Sequence, residues 1–389
     1  MASMKMPAFV ASLLLLLSCV FLAANAAAQP FETKAKQALL MDAESRAVLF
    51  AKDIDQPFPP AALAKMMAME VVFHAIKEGR LSLDQTFKVS ENAWRRGGAP
   101  SGGSTMFAKL NSEISLDDLI RGAIIQSAND ACIVIAEGMA GSEEAFAQIM
   151  TERARAIGLT QSVFRNPHGL PAEGQVVTAR DLVRLAEHLW RTYPEFYAYY
   201  AMPDFTWNGI FQRNRNPLLR MDIGADGLST GATEESGFAI VGSIERQGRR
   251  LFLALGGLTS DKERADEARR ILDWGMQAFE KRRIFAADEI VGEAQVYGGA
   301  QGAVPLKAGG PITVLLPKEA TEPVSARVVY QGPLEAPVAE GQQVGALKVW
   351  MGETLSQEAP LYAAAPVEEG TLSQRALGAV RELAVGWMR

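Results

Sequence analysis

Residues 59–72 read PPAALAKMMAMEVV and put a lysine, Lys65, at the head of an apolar run. Leu63, Met66, Met67, Glu70, Val71, His74 and Ala75 recur at roughly helical spacing, so the pattern predicts a mostly apolar helix. A charged amine at the buried start of such a helix is costly unless it has a partner or a task. Lys65 is therefore a candidate site residue, with a solvated lysine at a helix start as the plain alternative. Ala62, three positions earlier, offers only a methyl group.

Working outward, two apolar runs flank Asp42 to Arg46 and read as a β-hairpin. NSEISLDDLIRGAIIQSANDACIVIAEGM gives two helices interrupted near Gln126 to Asp130. GSEEAFAQIMTERARAIGL is amphipathic with Gly158 as its C-cap, and TARDLVRLAEHLWRTY opens with Thr178 and Asp181 at capping-box spacing. GFAIVGSIERQGRRLFLALGG alternates and turns at Gln247-Gly248, and SDKERADEARRILDWGMQAFEKR reads as one long amphipathic helix. Hairpin, many helices, hairpin, helix suits an antiparallel sheet flanked by helical layers, an α/β sandwich, rather than an alternating parallel sheet.

Composition shifts near Arg283 to short strands rich in Val, Gly and Pro, which predict a small all-β domain. The expected division is a signal peptide over 1–28, a main domain over 29–283, the β domain over 284–365 and an amphipathic tail helix over 366–389. In the tail, Leu372, Ala376, Val380, Leu383 and Trp387 share one helical face. That face suits a membrane interface, with packing on a neighbouring domain as the alternative. The first 28 residues carry an early lysine, an apolar run from Phe9 and small residues before Gln29, as secretory signals do. Cleavage would leave the mature protein in a periplasm, attached peripherally at most to the outer face of the inner membrane.

The 389 residues suffice for two domains, and 48% of them are hydrophobic. A net charge of −6 gives no sign of a nucleic-acid partner. Three histidines and two cysteines, none at ligand spacing, point to no metal, and there is no nucleotide-cofactor motif. Cys19 falls in the signal segment, so only Cys132 remains and no internal disulfide is expected.

PPAALAKMM, QSANDA and ADGLSTGAT lie in the order of the three signature motifs of the penicillin-binding serine acyltransferases. With GLTQSVFRNPHGLP, TWNGIFQRNRNPLL and the β-rich C-terminal part, the chain resembles the low-molecular-mass D-alanyl-D-alanine carboxypeptidases of bacterial cell-wall metabolism. The resemblance implies a β-lactamase/transpeptidase-like fold and no cofactor. It implies action on peptidoglycan stem peptides, through a Ser-x-x-Lys nucleophile and base, a Ser-x-Asn pair and a Lys-Thr-Gly carboxylate grip. Lys65, Ser127, Asn129, Thr230 and Gly231 match those positions, and the backbone N–H groups of Ala62 and Ala232 match the oxyanion hole. Ala62 stands in place of the nucleophile and Ser229 in place of the third-motif lysine. Arg46 replaces a usual turn glycine.

Acyl transfer through a covalent intermediate needs a nucleophilic atom. Losing one from a serine catalytic unit costs about a million-fold in rate. Losing the lysine removes a charge-assisted contact of roughly 1.5–3 kcal/mol. The expectation is a pseudoenzyme: a carboxypeptidase scaffold that still holds stem peptides, and β-lactams non-covalently, without turning them over. The alternative is a non-enzymatic peptidoglycan-binding or scaffolding protein of the cell envelope. Arg213 and Arg215 are further cationic candidates. Two other nucleophiles are open to the chain: Ser127 deprotonated by Lys65, and Ser229 in a Gly-x-Ser-x-Gly elbow served by His168 or His188.

Overall fold

A computed structural model describes residues 31–319 and 323–375. The expected signal peptide over 1–28 lies outside the described residues, as do Ala376, Val380, Leu383 and Trp387 of the expected tail helix.

The central sheet is built from β1 (Gln37–Asp42), β2 (Val48–Lys52), β3 (Ala225–Thr233), β4 (Gly237–Arg246) and β5 (Arg249–Leu258). Its order is β2-β1-β5-β4-β3, with every neighbouring pair antiparallel. The Asp42–Arg46 and Gln247-Gly248 turns close the two hairpins read from the sequence, and Arg46 takes up φ 57 without being glycine.

β1 is buried along its whole length, because both faces of the sheet are covered. Successive side chains point to opposite faces. Leu39 and Met41, with Phe252 and Ala254 of β5, join one core with the helices that lie between the hairpins. Ala38 and Leu40, with Leu251, Leu253 and Leu255, join a second core beneath the final helix of the domain. This is the expected sandwich.

The long helices among the described residues are α1 (Ala64–Lys77), α2 (Leu116–Ile125), α3 (Asn129–Ala140), α4 (Glu143–Ala156), α5 (Ala179–Thr192) and α6 (Asp261–Gln277). Local chemistry starts four of them: Ser115, Ser142, Thr178 and Ser260 each accept from a backbone N–H three residues on. α1 is buried from Ala64 to Phe73, so it forms the middle of the helical layer.

The helix read through Arg282 ends earlier, at Gln277. Phe279–Phe285 is strand β6, paired antiparallel with a strand at Ile312–Pro317, and the expected boundary at 283/284 falls inside it. Pairing with a partner some 30 residues ahead overrides the local helical pattern, as is common for strands. The C-terminal region continues with β7 (Ile290–Tyr297), β8 (Ala303–Ala308), β9 (Ile312–Pro317), β10 (Val324–Tyr330), β11 (Leu334–Glu335), β12 (Gln343–Met351) and β13 (Thr354–Ala363). Six of these form a sheet in the order β10-β12-β13-β8-β7-β11 around their own core. Phe279, Leu315 and Met351 pack into the core under α6, which ties the two regions together.

Candidate active site

A cleft of about 1530 Å³ opens where the start of α1, the α2–α3 junction and edge strand β3 converge. Ala62, Lys65, Ser127, Asn129, Thr230, Gly231 and Ala232 all line it, although they come from three distant stretches of sequence. Arg213 and Arg215 line it too. Ser229 is half-buried and is not among the lining residues.

Ala62 sits in one 3-10 turn, Ala61–Leu63, that runs directly into α1 and places Lys65 one turn on. Two glycines fit this turn into its surroundings. A Cβ on Gly231 would lie 2.9 Å from Ala62 N, so the lack of a side chain lets β3 press against the turn. Gly169, at φ +85, lies under the Ala61 carbonyl, where a Cβ would come within 1.7 Å of the oxygen.

Lys65 is 4% exposed. Its Nζ donates to Asn129 Oδ1 and to the His168 carbonyl, each at 2.8 Å. Burial pulls its pKa down to about 8, against the opposing pull of Cys132 and Asp130. The same burial pushes the Cys132 thiol up to about 12, so it stays protonated.

Ser127 takes up φ 58 at the break between α2 and α3, which turns the chain and starts α3 at Asn129. Asn129 N–H donates to the Ser104 carbonyl at 2.8 Å. The neighbouring Asp130 is fully buried and anchors the facing loop. It accepts from Thr105 Oγ1 at 2.5 Å and from the N–H groups of Met106, Ala108 and Ala131 at 3.0 Å each.

The Gly-x-Ser-x-Gly reading fails on geometry. Gly227 to Gly231 lie inside strand β3 and not on a strand-to-helix turn. His168 is committed elsewhere. Its Nδ1 accepts from Leu170 N–H at 3.1 Å, so the proton sits on Nε2, which donates to Glu143 Oε2 at 2.8 Å. Burial, only partly offset by Glu143, holds its pKa below the ordinary histidine value. His188 lies against Glu70, which also receives Arg153 and Tyr193.

One site residue, Arg264, carried no sequence signal beyond an amphipathic pattern. Arg264, from the first turns of α6, lines the cleft, donates to the Gly231 carbonyl at 3.4 Å and pairs with Asp261 at 2.5 Å. Its buried Nε has no partner among the described residues. Only the packing of α6 beneath the sheet brings it to β3.

A family model described as D-alanyl-D-alanine carboxypeptidase matches residues 23–257. The chain belongs to the D-alanyl-D-alanine carboxypeptidase family. A second family model, the C-terminal domain of penicillin-binding protein 5, matches residues 279–369. Similar carboxypeptidases include DacC of Escherichia coli, 36% identical over 85% of this chain and 84% of the relative. DacA of Haemophilus influenzae is 35% identical over 81% of each chain.

Among solved structures, penicillin-binding protein 5 from Haemophilus influenzae superposes with a TM-score of 0.71 at 34% identity. That match covers 88% of this chain and 99% of that one. Penicillin-binding protein D2 from Listeria monocytogenes, described in a cefotaxime-bound form, matches at 26% identity and a TM-score of 0.58. It covers 64% of this chain and 100% of its own. The carboxypeptidase family thus accounts for both the sandwich and the C-terminal β domain. No helix among the described residues is long and apolar enough to cross a membrane.

Proposed function

We propose that this chain is a carboxypeptidase-family protein that holds D-Ala-D-Ala-ended stem peptides of peptidoglycan, and β-lactams non-covalently, without hydrolysing them. The observation that carries the reading is the methyl group of Ala62 in the turn one step ahead of a buried, cleft-lining Lys65. In the family pattern a serine at this place attacks the peptide carbonyl and the lysine moves its proton. A methyl group cannot do so.

The binding half of the machinery supports retention of ligand. Asn129 is positioned for the substrate amide, and Ser127 and Thr230 face the same space. The backbone N–H groups of Ala62 and Ala232 are the proposed oxyanion donors, which no side-chain change removes. Ser229 supplies no cation, but Arg264 stands against the Gly231 carbonyl and keeps one near the carboxylate end.

We read residues 1–28 as a signal peptide leading to the periplasm, 29–283 as the carboxypeptidase domain and 284–365 as the β domain. Residues 366–389 are read as a tail that touches the membrane surface. The alternative of a cell-envelope scaffold differs in predicting partner capture through the β domain and tail.

Fluorescent penicillin labelling with a D-alanine release assay tests the reading. The parent chain should give neither adduct nor product. Ala62→Ser together with Ser229→Lys should restore both. A stable covalent penicillin on the parent chain would refute the proposal.

A further inference from the structure

We propose that the amine of Lys65 is itself a reaction site in this chain, condensing with small aldehydes that enter the cleft. The inference rests on reading Ala62 as the vacated nucleophile position.

Three observations meet at this nitrogen. Lys65 lines an open cleft although its side chain is almost fully buried. Its Nζ has two acceptors, Asn129 Oδ1 and the His168 carbonyl, and no third among the described residues. The residue one helical turn before it, Ala62, also lines the cleft, and its methyl side chain can accept no hydrogen bond.

A neutral amine has two N–H bonds and one lone pair, so two acceptors satisfy it completely. An ammonium has three N–H bonds, and here the third finds no acceptor among the described protein groups. The arrangement favours the nucleophilic form, in keeping with the lowered pKa.

The charged and titratable groups around it do not reverse this. Asp130 on α3 is taken up by four donors, and Cys132 on the same helix is a neutral thiol. Glu143 is bound to His168, Arg96 and Asn92. Arg213, Arg215 and Arg264 line other parts of the cleft and add positive charge.

In the step itself, the Nζ lone pair attacks the aldehyde carbon and the C–N bond forms. The carbonyl oxygen leaves as water with the two amine protons, and an imine remains. No oxidant or reductant takes part, and the only leaving group is water. A free aldehyde suits the site because it needs no serine hydroxyl and no acyl intermediate.

The test treats the full chain at pH 7 with propionaldehyde and cyanoborohydride, which traps the imine as a stable secondary amine. Peptide mass spectrometry then follows Lys65 against Lys262, whose side chain is 87% exposed and whose pKa is raised by Asp266. At pH 7 about a tenth of an amine with a pKa near 8 is neutral, against about one in 2,500 for an ordinary lysine. Lys65 should therefore react at least about tenfold faster than Lys262, even after allowance for restricted entry.

Ala62→Ser supplies a third partner and should slow Lys65 while leaving Lys262 unchanged. A Lys65 that reacts no faster than Lys262, or an Ala62→Ser chain that reacts as fast as the parent, overturns the inference. Parallel incubation with fluorescent penicillin separates the two readings. An adduct on Ser127 refutes the vacated nucleophile, whereas a silent Lys65 with no penicillin adduct refutes the reactive amine alone.

Discussion

Replacing Lys65 with Met and following stability from pH 7 to pH 10 measures the cost of burying the amine. In the folded chain its pKa is about 8, and in the unfolded chain it returns to 10.5. The folded state therefore gives up this proton first as pH rises. Between those values the unfolded state binds more protons, so the stability of the parent chain climbs with pH. The gain is complete above 10.5 and is lost again as pH falls through 8.

At pH 7 the ammonium costs the fold roughly 3 kcal/mol, and at pH 10 roughly 1 kcal/mol. The parent should accordingly gain roughly 2–3 kcal/mol relative to Lys65→Met between the two. The buried tyrosines, such as Tyr197 and Tyr200, have raised pKa values and weaken the fold at high pH, but they are common to both chains and cancel in the difference. Guanidinium chloride melts followed by tryptophan fluorescence at several pH values give the two curves. Curves that run parallel within about 0.5 kcal/mol from pH 7 to 10 would show that Lys65 is hydrated in solution. Both its lowered pKa and the reactive-amine inference would then fall.

Asp130→Ala should lower stability by about 3 kcal/mol or more in the same melts, because it strips three buried backbone N–H groups and Thr105 of their acceptor. A loss below about 1 kcal/mol would mean that water replaces the carboxylate. Gly169→Ala should cost about 2–4 kcal/mol, since the new Cβ overlaps the Ala61 carbonyl and φ is positive. A thermal midpoint within 1–2 °C of the parent would show that the Ala61–Leu63 turn yields freely.

Much of this fold is legible because its causes are local. Ser115, Ser142, Thr178 and Ser260 cap their helices through groups three residues away, and the hairpins turn on adjacent residues. The readings that failed depend on distant partners. FEKR, read as the end of a long amphipathic helix, became β6 because β9 was there to pair with it, and the Gly-x-Ser-x-Gly stretch was drawn into β3 by β4.

By itself the sequence determined the order of the elements, the three motif stretches and the absence of a hydroxyl at position 62, since these are matters of residue identity and short-range periodicity. Only the tertiary structure decided what Lys65 touches. Its partners lie 64 and 103 positions away, one of them a backbone carbonyl with no signature in the sequence. Packing likewise brought Arg264 to the cleft and slid Gly169 under the turn. A site assembled from such contacts takes its electrostatics from burial and distance, and these exist only once the chain has folded.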